Sequence, residues 1–140
     1  MKKAVILDEI SIDRKIKRLS YEILERNLNN KKLLLVGIKK NGFVLAKLIK
    51  KQLSKICKIK IDVTQVLVDK QKPFNECVIY NDSIENHKNT SMIVIDDVCS
   101  SGKTMMYVVS SLISNYSNKI STLVLVDRKH HNYPIKTDYV

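Results

Sequence analysis

The stretch Met92-Ile93-Val94-Ile95-Asp96-Asp97-Val98-Cys99-Ser100-Ser101-Gly102-Lys103-Thr104 decides how this chain is read. The apolar run Ser91–Ile95 has the make-up of a strand buried on both faces. It ends in two adjacent carboxylates, passes through a short turn of small hydroxyl residues with Gly102, and enters a helical pattern at Thr104. A turn at a helix N-terminus offers unpaired N–H groups and the positive end of the helix dipole, which together hold a phosphate. Gly102 lets the backbone come close. The hydroxyls of Ser100, Ser101 and Thr104 add donors. Ionised Asp96 and Asp97 only accept hydrogen bonds, which suits a sugar diol. Phosphate on one side and vicinal hydroxyls on the other describe a ribose 5-phosphate. A capping role for the two carboxylates ranks lower, because side-by-side charges repel and need a reason to be there.

Rival motifs fail on spacing. Ser101-Gly102-Lys103-Thr104 suggests a P-loop, but that motif needs a glycine where Asp97 stands. No G-x-G-x-x-G occurs, so a dinucleotide fold is unsupported. Phosphoacceptor receiver domains carry paired acidic residues near the N-terminus, whereas here they follow the fourth of five main strands.

Outward from this stretch the chain alternates. Ala4–Asp8 reads as a short strand. Ile12, Ile16, Leu19 and Ile23 recur at helical spacing, which predicts a helix from Ser11, its N-cap, to Asn27. Leu33–Ile38 reads as a buried strand. Phe43–Leu53 reads as a helix with Val44, Leu45 and Leu48 inward and Lys47, Lys50 and Lys51 on a solvated outer face that continues to Lys55. Ile59–Val68 alternates as a strand. Asp69–Asn75 is a polar loop broken by Pro73, and Cys77–Tyr80 a short strand. Thr104–Tyr116 is a helix and Ile120–Val126 another buried strand. This order predicts an α/β fold with a mostly parallel central sheet flanked by helices, a single domain over residues 1–140. Ligands of such sheets bind beyond the C-terminal ends of the strands.

Composition narrows the class further. The 140 residues suit one domain, and 44% hydrophobic content supports a core. No apolar run approaches the ~18 residues needed to span a bilayer. The N-terminal apolar run stops at Asp8, too short for a secretory signal, so the expected location is cytoplasmic. Cys57, Cys77 and Cys99 are odd in number and scattered, which argues against a disulfide framework or a zinc site. His87, His130 and His131 read as exposed loop residues with no partner spacing for a metal. The net charge of +11 attracts phosphates on nucleotides or RNA. The dominance of Lys over Arg, with many Ile and Asn, is also what an AT-rich genome would encode, and both readings stand.

Ile93–Thr104 resembles the binding motif for phosphoribosyl pyrophosphate (PRPP) of the type I phosphoribosyltransferases. Further segments resemble the PyrR branch of that family, pyrimidine-operon attenuation regulators with uracil phosphoribosyltransferase activity. They are Lys3–Glu9, Ile23–Asn27, Leu35–Lys39, Leu45-Ala46, Val124–His130 and Pro134–Val140, collinear over nearly the whole chain. The resemblance implies the type I phosphoribosyltransferase fold. It implies that Asp96 and Asp97 are catalytic and bind the ribose 2- and 3-hydroxyls, while Cys99, Ser100, Ser101, Gly102, Lys103 and Thr104 cradle the 5-phosphate. Lys39, Lys40, Asn41 and Gly42 fall where the family has its pyrophosphate loop, and Asp69–Asn75 where a mobile loop closes. Asp127, Arg128, Tyr139 and Val140 fall around the nucleobase pocket, with Tyr139 placed to stack on the base. Purine-using relatives carry a lysine at the position of Asp127, so uracil is the favoured base. The implied metal is Mg2+, brought by PRPP rather than held by side chains. An RNA hairpin is an implied partner for Arg14, Lys17, Arg18 and Tyr21, and a homo-oligomer the implied assembly.

Three departures favour the alternative of a nucleotide-sensing RNA-binding regulator with weak or no turnover, or a paralogue that kept only the fold. The pyrophosphate loop reads Lys40-Asn41-Gly42 where the family has Thr-Arg-Gly, and Lys lacks the Arg fork. The mobile loop lacks the Tyr-Arg-Asp-Asp stretch of the PyrR branch and keeps only Lys70 and Lys72 as cations. The family continues past the position of Val140 with a glycine and a segment that completes the pocket, so either a shortened version or an incomplete base site is expected.

Overall fold

The computed structural model describes residues 8–69, 71–72, 78–80, 87, 89–115 and 119–140. The strand expected at Ala4–Asp8 except for Asp8 itself, the residues Lys70, Pro73 and Cys77, and most of the expected mobile loop therefore lie outside the described residues. Five strands form one sheet in the order β3-β2-β1-β4-β5. They are β1 (Lys32–Ile38), β2 (Lys60–Val68), β3 (Val78–Tyr80), β4 (Ser91–Cys99) and β5 (Ile120–Asp127). All neighbours run parallel except β3, which lies antiparallel along β2. Among the described residues three helices cover the sheet: α1 (Glu9–Arg26), α2 (Lys39–Ile56) and α3 (Lys103–Asn115). This is the mostly parallel, helix-flanked sheet that the alternation predicts.

Strand alternation builds two cores. Leu33 and Leu35 of β1, Ile93 and Ile95 of β4 and Leu123 of β5 face α1 and α2, and pack with Ile16, Leu19, Ile23, Leu45, Ile49 and Leu53. The intervening residues Leu34, Val36, Met92, Val94 and Val124 face Met105, Val108 and Leu112 of α3. The sheet is thus apolar on both faces, which is why β1 and β4 read as continuous apolar runs. Among the described residues no helix is long and apolar enough to cross a membrane.

Three boundaries differ from expectation. The N-cap of α1 is Asp8, whose Oδ1 accepts the Ser11 N–H at 2.7 Å, so Ser11 is a donor inside the first turn rather than the cap. Helix α2 starts at Lys39, and its inward stripe is Gly42, Leu45, Ala46, Ile49 and Leu53. Val44 and Leu48 are 43% and 44% exposed, a correction to their expected inward placement. With the helix begun a turn earlier, Gly42 takes the place nearest the sheet. β4 runs on to Cys99, because Val98 and Cys99 still pair with Val126 and Asp127.

Candidate active site

The C-terminal ends of β1, β4 and β5 lie side by side, and each hands over to a segment with polar side chains. At β4, the alternation that aims Met92 and Val94 at α3 carries Asp96 to the same side. There it lines a half-open cleft of about 90 Å³ with Val98, Cys99, the turn Ser100–Gly102 and the first residues of α3. Asp97 falls with Ile93 and Ile95 toward α2, and its Oδ2 accepts a hydrogen bond from Asn41 Nδ2 at 3.1 Å. The two carboxylates are also knitted to the backbone: Asp96 Oδ1 accepts the Asp97 N–H at 2.8 Å, and Asp97 Oδ1 the Val98 N–H at 2.9 Å.

Burial pushes the Asp96 carboxyl up to about 7, with the neighbouring Asp97 reinforcing the rise and the Lys39 charge opposing it. Asp96 therefore exchanges its proton near neutrality, and a cation or a set of hydroxyl donors brought into the cleft would favour its charged form.

The turn that follows is held from two directions. Ser101 Oγ accepts the Lys103 N–H at 3.2 Å, and Ser101 O accepts the N–H groups of Asn132 at 3.0 Å and Tyr133 at 3.2 Å. Gly102 has φ +86°, and a Cβ there would stand 2.4 Å from Ile135 Cγ2, so both its conformation and its surroundings select glycine. The first turn of α3 contains no acidic residue to neutralise its dipole. The cleft thus brings Asp96 together with Ser100, Ser101, Gly102, Lys103 and Thr104.

Lys39, Lys40, Asn41 and Gly42 are the opening turn of α2 rather than a loop, a correction to that expectation. The first three are exposed at the mouth of the site, and Lys39 adopts φ 56° where β1 turns into the helix. Gly42 is buried: a Cβ on it would stand 2.4 Å from the carbonyl oxygen of Ile95. Gly37 is equally confined, with a Cβ position 2.5 Å from Phe43 Cα.

The base-pocket expectation divides. Asp127 stands at the end of β5 opposite Cys99, and Arg128 beside it is exposed with its N–H bonded to Cys99 O. Burial would raise the Asp127 carboxyl, but donation from Thr137, the Lys129 N–H and His131 outweighs it and holds the group below the usual carboxylate range. Tyr139 is not placed to stack on a base. It pairs with Leu123 in a parallel bridge, four residues before Asp127, and its ring is 1% exposed within the α1–α2 core. Arg26 lies 4.7 Å over that ring, and Asn27 Nδ2 donates to its hydroxyl at 3.4 Å. Four residues of strand are about 13 Å, which takes the ring away from the cleft. Val140 follows it, its carbonyl accepting from Arg18.

Sequence reasoning missed one cluster. His131 is not an exposed loop residue: its side chain is 14% exposed and contacts both Cys99 and Asp127. His87, with a side chain 15% exposed, is likewise enclosed, whereas His130 is exposed as expected. Only the β4–β5 register brings Cys99 to Asp127, and no local spacing announces it.

The family profile described as "Phosphoribosyl transferase domain" matches residues 4–140. A "Bifunctional protein PyrR" of Actinobacillus succinogenes is 33% identical, over 97% of this chain and 82% of that protein. Its namesake in Clostridium kluyveri is 35% identical, over 99% and 81%. Among solved structures, a hypoxanthine-guanine phosphoribosyltransferase of Bacillus anthracis superposes with a TM-score of 0.81 at 19% identity, covering 100% of this chain and 80% of that one. The hypoxanthine phosphoribosyltransferase of Trypanosoma cruzi gives 0.83 at 17%, covering 99% and 79%. At these identities the superpositions speak for the fold.

Proposed function

The chain belongs to the phosphoribosyltransferase family, in the company of the PyrR proteins, and from that premise we propose that it transfers the 5-phosphoribosyl group of PRPP to uracil. The C1–O bond to pyrophosphate breaks, the C1–N bond to the base forms, and the base gives up one N–H proton to solvent. The observation that carries this reading is the single cleft in which Asp96 meets the turn Ser100–Gly102 and the head of α3.

Each residue has a task in that reaction. Asp96 and Asp97 accept the ribose 2- and 3-hydroxyls and hold the sugar while its anomeric carbon gains positive character. The turn and the α3 N-terminus fix the 5-phosphate. Lys39 and Lys40 face the departing pyrophosphate as point charges, and Asn41 sets Asp97 in place. Catalysis of this kind is positioning and electrostatics, with no covalent nucleophile. Mg2+ would arrive with PRPP rather than be held by side chains, since it prefers phosphate oxygens and water to an all-protein cage. When bound with PRPP the ion would supply neutralisation of pyrophosphate charge. Asp127 and Arg128 belong to the base side of the proposal. So does a homo-oligomeric state, which the exposed Ile10, Val44 and Leu48 on α1 and α2 favour.

The test is pyrophosphate release from PRPP and Mg2+ with uracil, guanine, hypoxanthine, xanthine and adenine in parallel. Release with uracil alone is expected. Release with a purine instead would overturn the base, and no release from a chain that still binds PRPP would leave only the sensing role.

A regulatory reading coexists with the enzymatic one. The PyrR relatives are named bifunctional, the chain carries a charge of +11, and α1 exposes Arg14, Lys17, Arg18 and Tyr21. We expect the protein to bind one RNA hairpin more tightly than unrelated RNA, with uridine nucleotide strengthening the complex and salt weakening it. Equal affinity for every RNA would reduce the effect to unspecific charge.

A further inference from the structure

We propose that Cys99, Asp127 and His131 form a binding site for a thiophilic divalent metal ion, with Zn2+ the best match. The proposal needs none of the phosphoribosyl steps, although Cys99 also lines the cleft and Asp127 stands on its proposed base side. Cys99 and Asp127 are register partners at the last rung of the β4–β5 ladder. The chain then loops out, and His131 returns to the same point. Arg128 N–H bonds to Cys99 O and Asn132 N–H to Ser101 O, each at 3.0 Å, which fixes the loop against β4. One sulfur, one imidazole nitrogen and one carboxylate oxygen thereby lie within 4.8 Å of one another.

The hydrogen bonds of the imidazole point the same way. Nδ1 of His131 lies 3.0 Å from the carbonyl oxygen of Ile135, which can only accept, so Nδ1 carries a proton. In a neutral ring the lone pair of Nε2 then faces Asp127 Oδ1 at 2.7 Å and Cys99 Sγ at 3.5 Å. A lone pair aimed at a carboxylate needs a cation between them. A proton meets that need for Asp127 alone and leaves the sulfur idle. A metal ion uses all three donors. With bonds of about 2.0–2.3 Å, a tetrahedral zinc holds its ligand atoms roughly 3.3–3.7 Å apart. The Sγ–Nε2 separation already matches, and the Nε2–Oδ1 pair must open by about half an ångström as the ion replaces the shared proton. Uptake also releases the Cys99 thiol proton.

The surroundings resemble the outer shell of a metal site. Ile135 O orients the imidazole, while the Thr137 hydroxyl and the Lys129 N–H, at 2.6 and 2.9 Å, orient the carboxylate. A mixed S, N, O set favours Zn2+ or Co2+ over Mg2+ or Ca2+. Three protein ligands leave one tetrahedral position for water. The bound ion would bolt the loop 128–135 to the end of β4, next to the phosphate-binding turn.

The experiment is a Co2+ titration of the full chain carrying Cys57→Ser and Cys77→Ser, so that Cys99 is its sole thiol. One equivalent of uptake with a thiolate-to-cobalt charge-transfer band is expected. Adding Cys99→Ser should abolish the band, and His131→Gln should weaken binding tenfold or more. X-ray absorption of the zinc-loaded, unsubstituted chain should report one sulfur among nitrogen and oxygen neighbours, a readout that no misfolded variant can confuse. Absence of uptake, a band that survives Cys99→Ser, or a zinc shell without sulfur would each overturn the site and leave only the His131–Asp127 contact.

Discussion

Asp96→Asn is expected to lose at least a hundredfold in kcat/KM for pyrophosphate release while making the folded chain more stable above pH 7. The loss follows from the sugar. A carboxylate accepts two hydroxyls with charge-assisted bonds, each stronger than its neutral counterpart by about 1.4 kcal/mol. The amide offers one neutral acceptor and an NH2 group that faces a donor. Two weakened bonds amount to about 2.7 kcal/mol, or a hundredfold in rate. The gain in stability follows from burial. The folded chain holds the Asp96 proton up to about pH 7, whereas the unfolded chain releases it near the ordinary value of 3.8. Between these values the folded state binds more protons, so stability falls as pH rises through the window and the full cost persists above it. Asn carries no charge at any pH and keeps its oxygen for the Asp97 N–H. The gap between variant and wild type should therefore widen from pH 5 to pH 8, toward a ceiling of about 2–4 kcal/mol. Urea melts at the two pH values measure it, and identical midpoints at both would show that Asp96 is not destabilising the fold.

Asp97→Asn supplies the contrast. Its carboxylate sits on the α2 side, where Asn41 Nδ2 donates to it. Turnover should fall as steeply, but stability should stay within ~0.5 kcal/mol, as for most exposed substitutions. Wild-type PRPP affinity should rise as pH passes through 7 and Asp96 ionises, and Asp96→Asn should flatten that rise. A partly buried carboxylate of raised proton affinity at the end of β4 is the pattern expected of a ligand-binding group.

The sheet and its helices are legible in the sequence because Leu33–Ile38 and Ser91–Ile95 are too apolar to lie anywhere but between two helical layers. The carboxylate pair and the Gly102 turn are legible because their chemistry is local. What was hidden depends on contacts between distant segments. The extension of β4 through Asp96–Cys99 is written in its pairing with Val124–Asp127, and two acidic residues in a row look like loop. The early start of α2 is masked by Asn41-Gly42, poor helix formers of which the second serves packing. Tyr139 was read from its neighbours in sequence. Its ring is placed by the parallel bridge to Leu123, which turns it into the core beneath Arg26. Cys99 and His131 stand 32 positions apart and meet only after β4 and β5 pair.

Gly42→Ala is expected to destabilise the chain by about 2–3 kcal/mol and to lower turnover with it. On propensity alone the change should help, since alanine in a helix is favoured over glycine by about 1 kcal/mol. Packing reverses the sign. The new Cβ would stand 2.4 Å from Ile95 O, 3.3 Å from Gly37 C and 3.4 Å from Asp96 Cα. All three are backbone atoms, so no side chain can swing away, and α2 must lift from β4 to make room. That movement draws Asn41 away from Asp97, which it holds at 3.1 Å, and shifts Lys39 and Lys40 relative to the cleft. Stability and activity are thus coupled through one glycine, while Lys51→Ala on the exposed face of the same helix should leave both unchanged. Thermal melts and PRPP turnover of the two variants give the comparison. A Gly42→Ala protein as stable as wild type would mean that α2 does not press on β4 as closely as the Ile95 contact requires, and the positioning role of its first turn would fall with it.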